Sequence, residues 1–249
     1  MTEAIRVKNL SFAYQKKESV IVGASFAIEA QELVAIIGPN GGGKTTLLKL
    51  LMGFLKPCEG TISIFGKEPN SQSLVFGYVP QILSFDRDFP MSVLELVLGG
   101  RLFDLPWWGH FRKSDIKKAY HALDQVGLAD MAKKPFGCLS GGQAQRALIA
   151  RALVSEPKIL IFDEPTAHVD PKNEEEIYEL LAALKKKLTI LVVTHHIQTL
   201  IDNVERVLCV QGRIDSMSPK ELCEHFALGL YHFPLVETDS NHLATHREG

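Results

Sequence analysis

At 249 residues the chain can form one large domain or two small ones around a real core. Its apolar fraction of 46% and charged fraction of 22% are those of a soluble globular protein, and a net charge of -2 lacks the basic footprint of a nucleic-acid binder, so no nucleic-acid partner is expected. The longest apolar runs are strand-sized, far below the roughly 20 residues that span a bilayer, so the chain is not expected to cross a membrane by itself.

Met1-Thr2-Glu3-Ala4-Ile5-Arg6 leads straight into an alternating pattern, with no features of a signal peptide. The pattern runs from Ile5 to Tyr14, turns at the charged Gln15-Lys16-Lys17-Glu18, and resumes as Val20-Ile21-Val22 and Ser25-Phe26-Ala27-Ile28, which predicts antiparallel strands. Leu33-Val34-Ala35-Ile36-Ile37 is a short buried strand, and Leu47-Leu48-Lys49-Leu50-Leu51-Met52 reads as a helix. Between them stands Gly38-Pro39-Asn40-Gly41-Gly42-Gly43-Lys44-Thr45-Thr46, which fits G-x-x-x-x-G-K-[ST] in the strand–loop–helix context of a phosphate-binding loop. Glycines let successive N–H groups converge on one anion, and the helix N-terminus adds partial positive charge at the same point. In such a loop Lys44 would reach the β- and γ-phosphates of a nucleotide, the Thr45 hydroxyl would ligate Mg²⁺, and Thr46 would face the α-phosphate side.

Two further strands are expected at Thr61-Ile62-Ser63-Ile64-Phe65 and Val75-Phe76-Gly77-Tyr78-Val79. After Gln81 the pattern becomes helical. Ser92-Val93-Leu94-Glu95 has capping-box spacing and opens a helix toward Gly99-Gly100. Ser114 is expected to cap a second helix that carries Ile116, Tyr120, Leu123 and Val126 and stops at Gly127. Residues from about 82 to 137 therefore read as a helical insertion in an α/β body. The body resumes with a helix from Gly142 to about Ser155, a strand Ile159-Leu160-Ile161-Phe162, and a helix capped by Asp170 with Pro171 at its first position. Ile177, Leu180, Leu181 and Leu184 give that helix one apolar stripe, and the strand Thr189-Ile190-Leu191-Val192-Val193-Thr194 completes the alternation of a mostly parallel sheet. The four cysteines, Cys58, Cys138, Cys209 and Cys223, lack C-x-x-C spacing and are expected to be buried free thiols of a reduced, cytosolic protein.

The strand at Ile159 ends in Asp163-Glu164, at the carboxyl edge where open α/β sheets place ligands. Asp163 there would hold Mg²⁺ through water, and Glu164 would polarise an attacking water as general base. Leu139-Ser140-Gly141-Gly142-Gln143, leading into Gln145-Arg146-Ala147-Leu148-Ile149-Ala150-Arg151, offers a second anion nest at a helix N-terminus.

With this last motif the chain resembles the ATP-binding cassette (ABC) ATPases, from roughly Ile5 to Ile214. The resemblance implies a P-loop core with an N-terminal antiparallel β subdomain and a helical insertion, and a head-to-tail homodimer. Two ATP molecules are sandwiched in that dimer, with the nest of Ser140, Gly141, Gly142 and Gln143 completing the site of the opposite subunit. It further implies that Tyr14 stacks on adenine, although Tyr14 also fits as an ordinary strand residue. Gln81 resembles the glutamine that reaches Mg²⁺ and the attacking water, His195 the switch histidine at the γ-phosphate, and Asp170 the loop that signals across the dimer. His168 and His196 depart from the residues common at their positions.

The resemblance also implies a peripheral subunit on the cytoplasmic face of the inner membrane, driving an integral membrane permease and, indirectly, a substrate-binding receptor protein. The run from Gly77 to Gln81, with Phe85-Asp86-Arg87-Asp88-Phe89-Pro90-Met91-Ser92-Val93 and Gly99-Gly100-Arg101, is similar to the zinc, manganese and iron uptake branch. An importer of metal chelates such as siderophores or cobalamin is the alternative, and a soluble ABC ATPase outside transport, or a clamp that binds ATP without turnover, are different classes. Phe103-Asp104-Leu105-Pro106-Trp107-Trp108 is either a docking patch or core packing of the insertion. The cassette is expected to span residues 1–225, followed by a tail of residues 226–249. In that tail His232, His242 and His246 either sense metal or lie in a solvated segment.

Overall fold

The structure is a computed structural model that describes residues 2–15, 19–69, 75–80, 90–105, 107, 109–164, 171–195 and 200–227. In chain order its elements are β1 (Glu3–Ala13), β2 (Ser19–Glu29), β3 (Leu33–Ile37), α1 (Lys44–Leu51), β4 (Glu59–Ile64) and β5 (Phe76–Val79). There follow α2 (Val93–Leu98), a 3₁₀ segment Gly99–Asp104, α3 (Lys113–Gln125), α4 (Gly141–Leu153), β6 (Ile159–Asp163) and α5 (Pro171–Lys185). The described chain closes with β7 (Thr189–Val193), β8 (Arg206–Gln211), β9 (Arg213–Met217) and α6 (Pro219–Ala227).

Two sheets organise these elements. The N-terminal sheet has the order β2-β1-β4 and is antiparallel throughout. The two apolar segments expected after the Gln15–Glu18 turn belong to one strand, β2, with Gly23 at φ 62 inside it. Its partner β1 bulges at Asn9, which adopts φ 47; the Asn9 N–H donates to Ser25 Oγ at 2.8 Å, so the backbone group taken out of the ladder is satisfied locally. The larger sheet has the order β5-β6-β7-β3-β8-β9, parallel except for the last pair.

The period of a strand divides the larger sheet's side chains between two cores. Leu33, Ala35, Leu160, Phe162, Ile190 and Val192 face a core shared with α2, α3, α4 and α5, whereas Val34, Ile36, Ile159, Ile161, Leu191 and Val193 face α1 and the N-terminal sheet. Being covered on both faces, β3 and β7 are buried at every position, which is why they read as unbroken apolar runs. On α5 the expected stripe is present, with Ile177, Leu181 and Leu184 buried and Tyr178 joining them.

Helices α2 and α3 pack on α4 between β5 and β6, as the helical insertion requires. Ser92 caps α2 with both bonds of the capping box, Glu95 N–H to Ser92 Oγ at 3.2 Å and Ser92 N–H to Glu95 Oε2 at 2.7 Å. The start of α3 corrects the sequence reading. Ser114 lies inside the helix, and the carboxylate of Asp115 instead reaches back to accept the Arg112 N–H at 3.0 Å. Asp115 is fixed there because its other oxygen accepts from Arg101 Nε at 2.8 Å, and Arg101 also donates through Nη1 to the Val154 carbonyl at 3.2 Å. Only Leu123 and Val126 of the expected apolar positions are buried; Ile116 and Tyr120 are exposed, and Ala119 and Ala122 take the face against α4 because small side chains allow close approach.

Gly100 marks a second close approach, since a Cβ there would sit 2.0 Å from the Arg151 carbonyl oxygen. Phe103 and Trp107 are exposed and Leu105 is half-buried, while Pro106 and Trp108 of that run lie outside the described residues. All four cysteines are free thiols, but only Cys209, in a central strand, is buried. Cys58, in a loop, Cys138, at the end of the 3₁₀ turn Phe136–Cys138, and Cys223, on α6, are exposed, contrary to expectation.

Candidate functional site

The glycine loop follows β3 at the carboxyl edge of the larger sheet and opens into α1. Gly38, Gly41 and Gly43 have φ of 153, 78 and 108, angles that turn successive amides toward one side of the loop. Glycine is required at Gly38 for a second reason. The Val210 carbonyl of β8 packs beneath the loop, and a Cβ on Gly38 would meet it at 2.1 Å, one on Gly42 at 2.6 Å. The β8–β9 turn holds the loop from the same side, because Gly212 N–H donates to the Gly42 carbonyl at 3.2 Å and Val22 N–H donates to the Gly212 carbonyl at 2.9 Å.

Lys44 is buried at the first turn of α1, its Nζ donating to the carbonyls of Gly38 at 2.8 Å and Pro39 at 3.1 Å. Burial pulls its ammonium below the ordinary lysine range, while the nearby carboxylates of Glu164 and Asp163 oppose that shift. The cation is therefore held inside the loop, where a polyphosphate would exchange for two backbone carbonyls. Thr45 is exposed on the same turn, and Thr46 is buried, 3.2 Å from the Tyr14 hydroxyl. Tyr14 stands just past the end of β1 and is 57% exposed, its ring in an edge-to-face contact with Phe12. It is thus not a residue of the β1 ladder, and its hydroxyl reaches α1 at Thr46.

Strand β7 lies between β3 and β6, so the ends of these strands converge. Asp163 closes β6 opposite Val193, and Glu164 adopts φ 50, its N–H donating to the Val193 carbonyl at 2.9 Å. A glutamate in the left-handed region costs roughly 1–2 kcal/mol, and such strain is found where surrounding structure aims a functional side chain. Here it sends the carboxylate to His195, with His195 Nε2 2.8 Å from Glu164 Oε1. The base expected from sequence and the expected switch histidine are therefore in direct contact. Asp163 has a partner that sequence reasoning missed: the Tyr78 hydroxyl donates to Asp163 Oδ2 at 2.9 Å. Only the parallel pairing of β5 with β6 could have revealed it, and two short strands do not announce their register.

Ser140, Gly141, Gly142 and Gln143 start α4 on the helical side. Gln143 N–H donates to Ser140 Oγ at 3.3 Å and Ser140 N–H to Gln143 Oε1 at 3.1 Å. The capping box leaves the amides of Gly141 and Gly142 outside the intrahelical ladder, at the positive end of the helix. Both of these contacts are local to the start of α4. Gln81, Asp170, His168, His196 and the tail histidines lie outside the described residues.

A buried lysine in a glycine loop, with acids gathered at the end of the next strand but one in the sheet, defines a P-loop nucleoside triphosphatase. Among families, "ABC transporter" matches residues 21–167, and "AAA domain, putative AbiEii toxin, Type IV TA system" matches the shorter span 135–202. The chain is 42% identical over 219 residues to a "Probable metal transport system ATP-binding protein" of Chlamydia trachomatis serovar D, covering 88% of this chain and 92% of that protein. It is also 42% identical to the "Manganese transport system ATP-binding protein MntB" of Bacillus subtilis (strain 168), over 87% of each. Among solved structures it superposes on "a putative metal-chelate type ABC transporter" in an inward-facing conformation, with a TM-score of 0.77, 33% identity and coverage of 88% and 84%. The chain belongs to the ABC transporter family and is an ATP-hydrolysing cassette subunit of that family. No helix among the described residues is long and apolar enough to cross a membrane.

Proposed function

We propose that the chain is the ATPase subunit of an importer for a divalent metal ion, zinc or manganese. It works as a peripheral protein on the cytoplasmic face of the inner membrane, beside an integral membrane permease that receives cargo from a binding receptor. The carrying observation is the convergence of Lys44, Asp163, Glu164 and His195 at the ends of three adjacent parallel strands. The names of the relatives in Chlamydia and Bacillus supply the cargo class.

In this reading the loop amides and Lys44 bind the β- and γ-phosphates, and the exposed Tyr14 stacks on adenine. Glu164 accepts a proton from the attacking water, with His195 fixing the orientation of its carboxylate. Asp163 and the Thr45 hydroxyl are hard oxygen donors, one charged and one neutral, and this set fits Mg²⁺, which is commonly held by few protein ligands plus substrate phosphates. When bound, Mg²⁺ neutralises developing charge on the transferring phosphoryl group. Gln81 completes that shell, and Asp170 signals across the interface.

The capped N-terminus of α4, a second place for an anion besides the glycine loop, supports a head-to-tail homodimer in which Ser140, Gly141, Gly142 and Gln143 of one subunit close over the triphosphate held by its partner. The cassette occupies residues 1–225, with 226–249 as a tail. ATP bridges the closed pair, and hydrolysis releases it. Glu164→Gln removes the base while keeping the shape, so this variant is expected to bind ATP, stop releasing phosphate and run as a dimer on sizing with ATP. A Glu164→Gln protein that binds ATP yet stays monomeric overturns the dimer scheme. Phosphate release by the chain with its permease and receptor in proteoliposomes is expected to rise with zinc or manganese; stimulation by a siderophore or cobalamin instead would assign it to chelate import.

A further inference from the structure

We propose that Tyr78 is a positioning residue for Asp163, its phenol fixing the carboxylate that faces the nucleotide's divalent cation. The inference rests on the reading of Asp163 as a metal-facing acid.

Pairing of β5 with β6 sets Tyr78 opposite Ile161, so Asp163, two residues further on, lies diagonally across on the same face of the sheet. Diagonal neighbours stand about 7–8 Å apart, a gap that a tyrosine spans. The hydroxyl meets Asp163 Oδ2 at 2.9 Å. Both ends of this contact are anchored. Asp163 is paired in β6 with Val193, and the strand that carries Tyr78 is pressed against its neighbours at Gly77, where a Cβ would meet Leu160 Cδ1 at 2.8 Å, the Ala152 carbonyl at 2.9 Å and Pro157 Cγ at 3.0 Å. Val79, on the other side of Tyr78, is fully buried. The phenol is thus presented from a fixed edge strand.

A carboxylate has about four acceptor sites on two oxygens, and the phenol takes one of them. Oδ1 and the remaining lone pair of Oδ2 stay available to the cation or its waters, now with the rotation of the group fixed. Groups that orient a metal-binding carboxylate in this way typically contribute 10–100-fold in metal affinity or activity.

The test measures equilibrium binding of a fluorescent ATP analogue to the full chain, across a Mg²⁺ titration and in EDTA, for wild type and Tyr78→Phe. The variant keeps the ring and removes only the donor. The expected result is a rise of about tenfold in the Mg²⁺ concentration at half-maximal binding, with affinity in EDTA and the melting temperature unchanged. An unchanged Mg²⁺ midpoint, or an equal loss with and without Mg²⁺, overturns the proposal. In an Asp163→Asn background, adding Tyr78→Phe is expected to shift nothing further, since the two act as a unit; additive losses would also overturn it. If wild-type binding does not respond to Mg²⁺ at all, the reading of Asp163 falls and takes the proposal with it, an outcome distinguishable from failure of Tyr78 alone.

Discussion

Asp115→Ala is expected to destabilise the chain out of proportion to the size of the change. The side chains of Arg101 and Asp115 are only 12% and 6% exposed, and their N–O contact is 2.8 Å. Truncation removes the carboxylate that faces the guanidinium, and it strips the Arg112 N–H of its acceptor at the start of α3. Breaking a nearly buried pair by deleting one partner costs about 3–5 kcal/mol, and a lost helix cap about 1 kcal/mol. Taking about 4 kcal/mol overall, the low end of that sum, and about 2–4 °C per kcal/mol for a chain of this length, the melting temperature should fall by about 8–16 °C. Thermal unfolding followed by circular dichroism at neutral pH measures it. Arg101→Met alone is expected to cost a similar amount by leaving Asp115 without that charge, whereas Arg101→Met with Asp115→Leu should recover most of the loss, because replacing both charges by apolar groups is often nearly neutral. Should the double variant cost the sum of the singles to within about 0.5 kcal/mol, the two residues are not coupled and the argument from burial is wrong.

The same carboxylate gives a pH dependence. Burial pushes the Asp115 carboxyl up, but the Arg112 N–H and the Arg101 guanidinium together hold it below the usual range. A depressed folded value means that its stabilisation is complete above the unfolded value of about 3.9 and is lost as pH falls through the folded one. Wild type should therefore lose melting temperature below about pH 4 more steeply than Asp115→Ala, as scanning calorimetry from about pH 3 to about pH 7 would record. Gly38→Ala drives a methyl group into the Val210 carbonyl and should reduce ATP affinity at least about tenfold, corresponding to about 1.4 kcal/mol of distortion, in fluorescence titration; unchanged affinity would show that the loop yields. His195→Ala frees the Glu164 carboxylate from its 2.8 Å partner and should lower phosphate release about 100-fold with ATP affinity kept within a few-fold. Comparable losses in turnover and affinity would instead give His195 a part in binding.

The motifs were legible because each needs a particular residue type at a fixed spacing. Gly38 through Thr46, Asp163-Glu164 and Ser140 through Gln143 carry their local geometry in their own backbone constraints, and the structure places them at a strand end, a strand end and a helix start. The capping box at Ser92 was readable for the same reason, being a contact between near neighbours. What stayed hidden depends on contacts between distant segments. Ser114 looked like a cap because serine prefers that position, but the Arg101 contact fixes Asp115 and moves the helix start upstream. Tyr78 reads as one more strand residue until the register with β6 is known. The β8–β9 hairpin was overlooked, although Val207-Leu208-Cys209-Val210, then Gly212 at φ 71, then Ile214 form a recognisable strand–turn–strand pattern.

That hairpin has a consequence for engineering. Its turn grips the glycine loop through a single amide and wedges a peptide oxygen under it, so the distance between the two is set by backbone alone and no side-chain substitution can take up slack. An epitope or reporter inserted after Gln211, at what any surface map would offer as a permissive bend, should silence ATP binding far upstream.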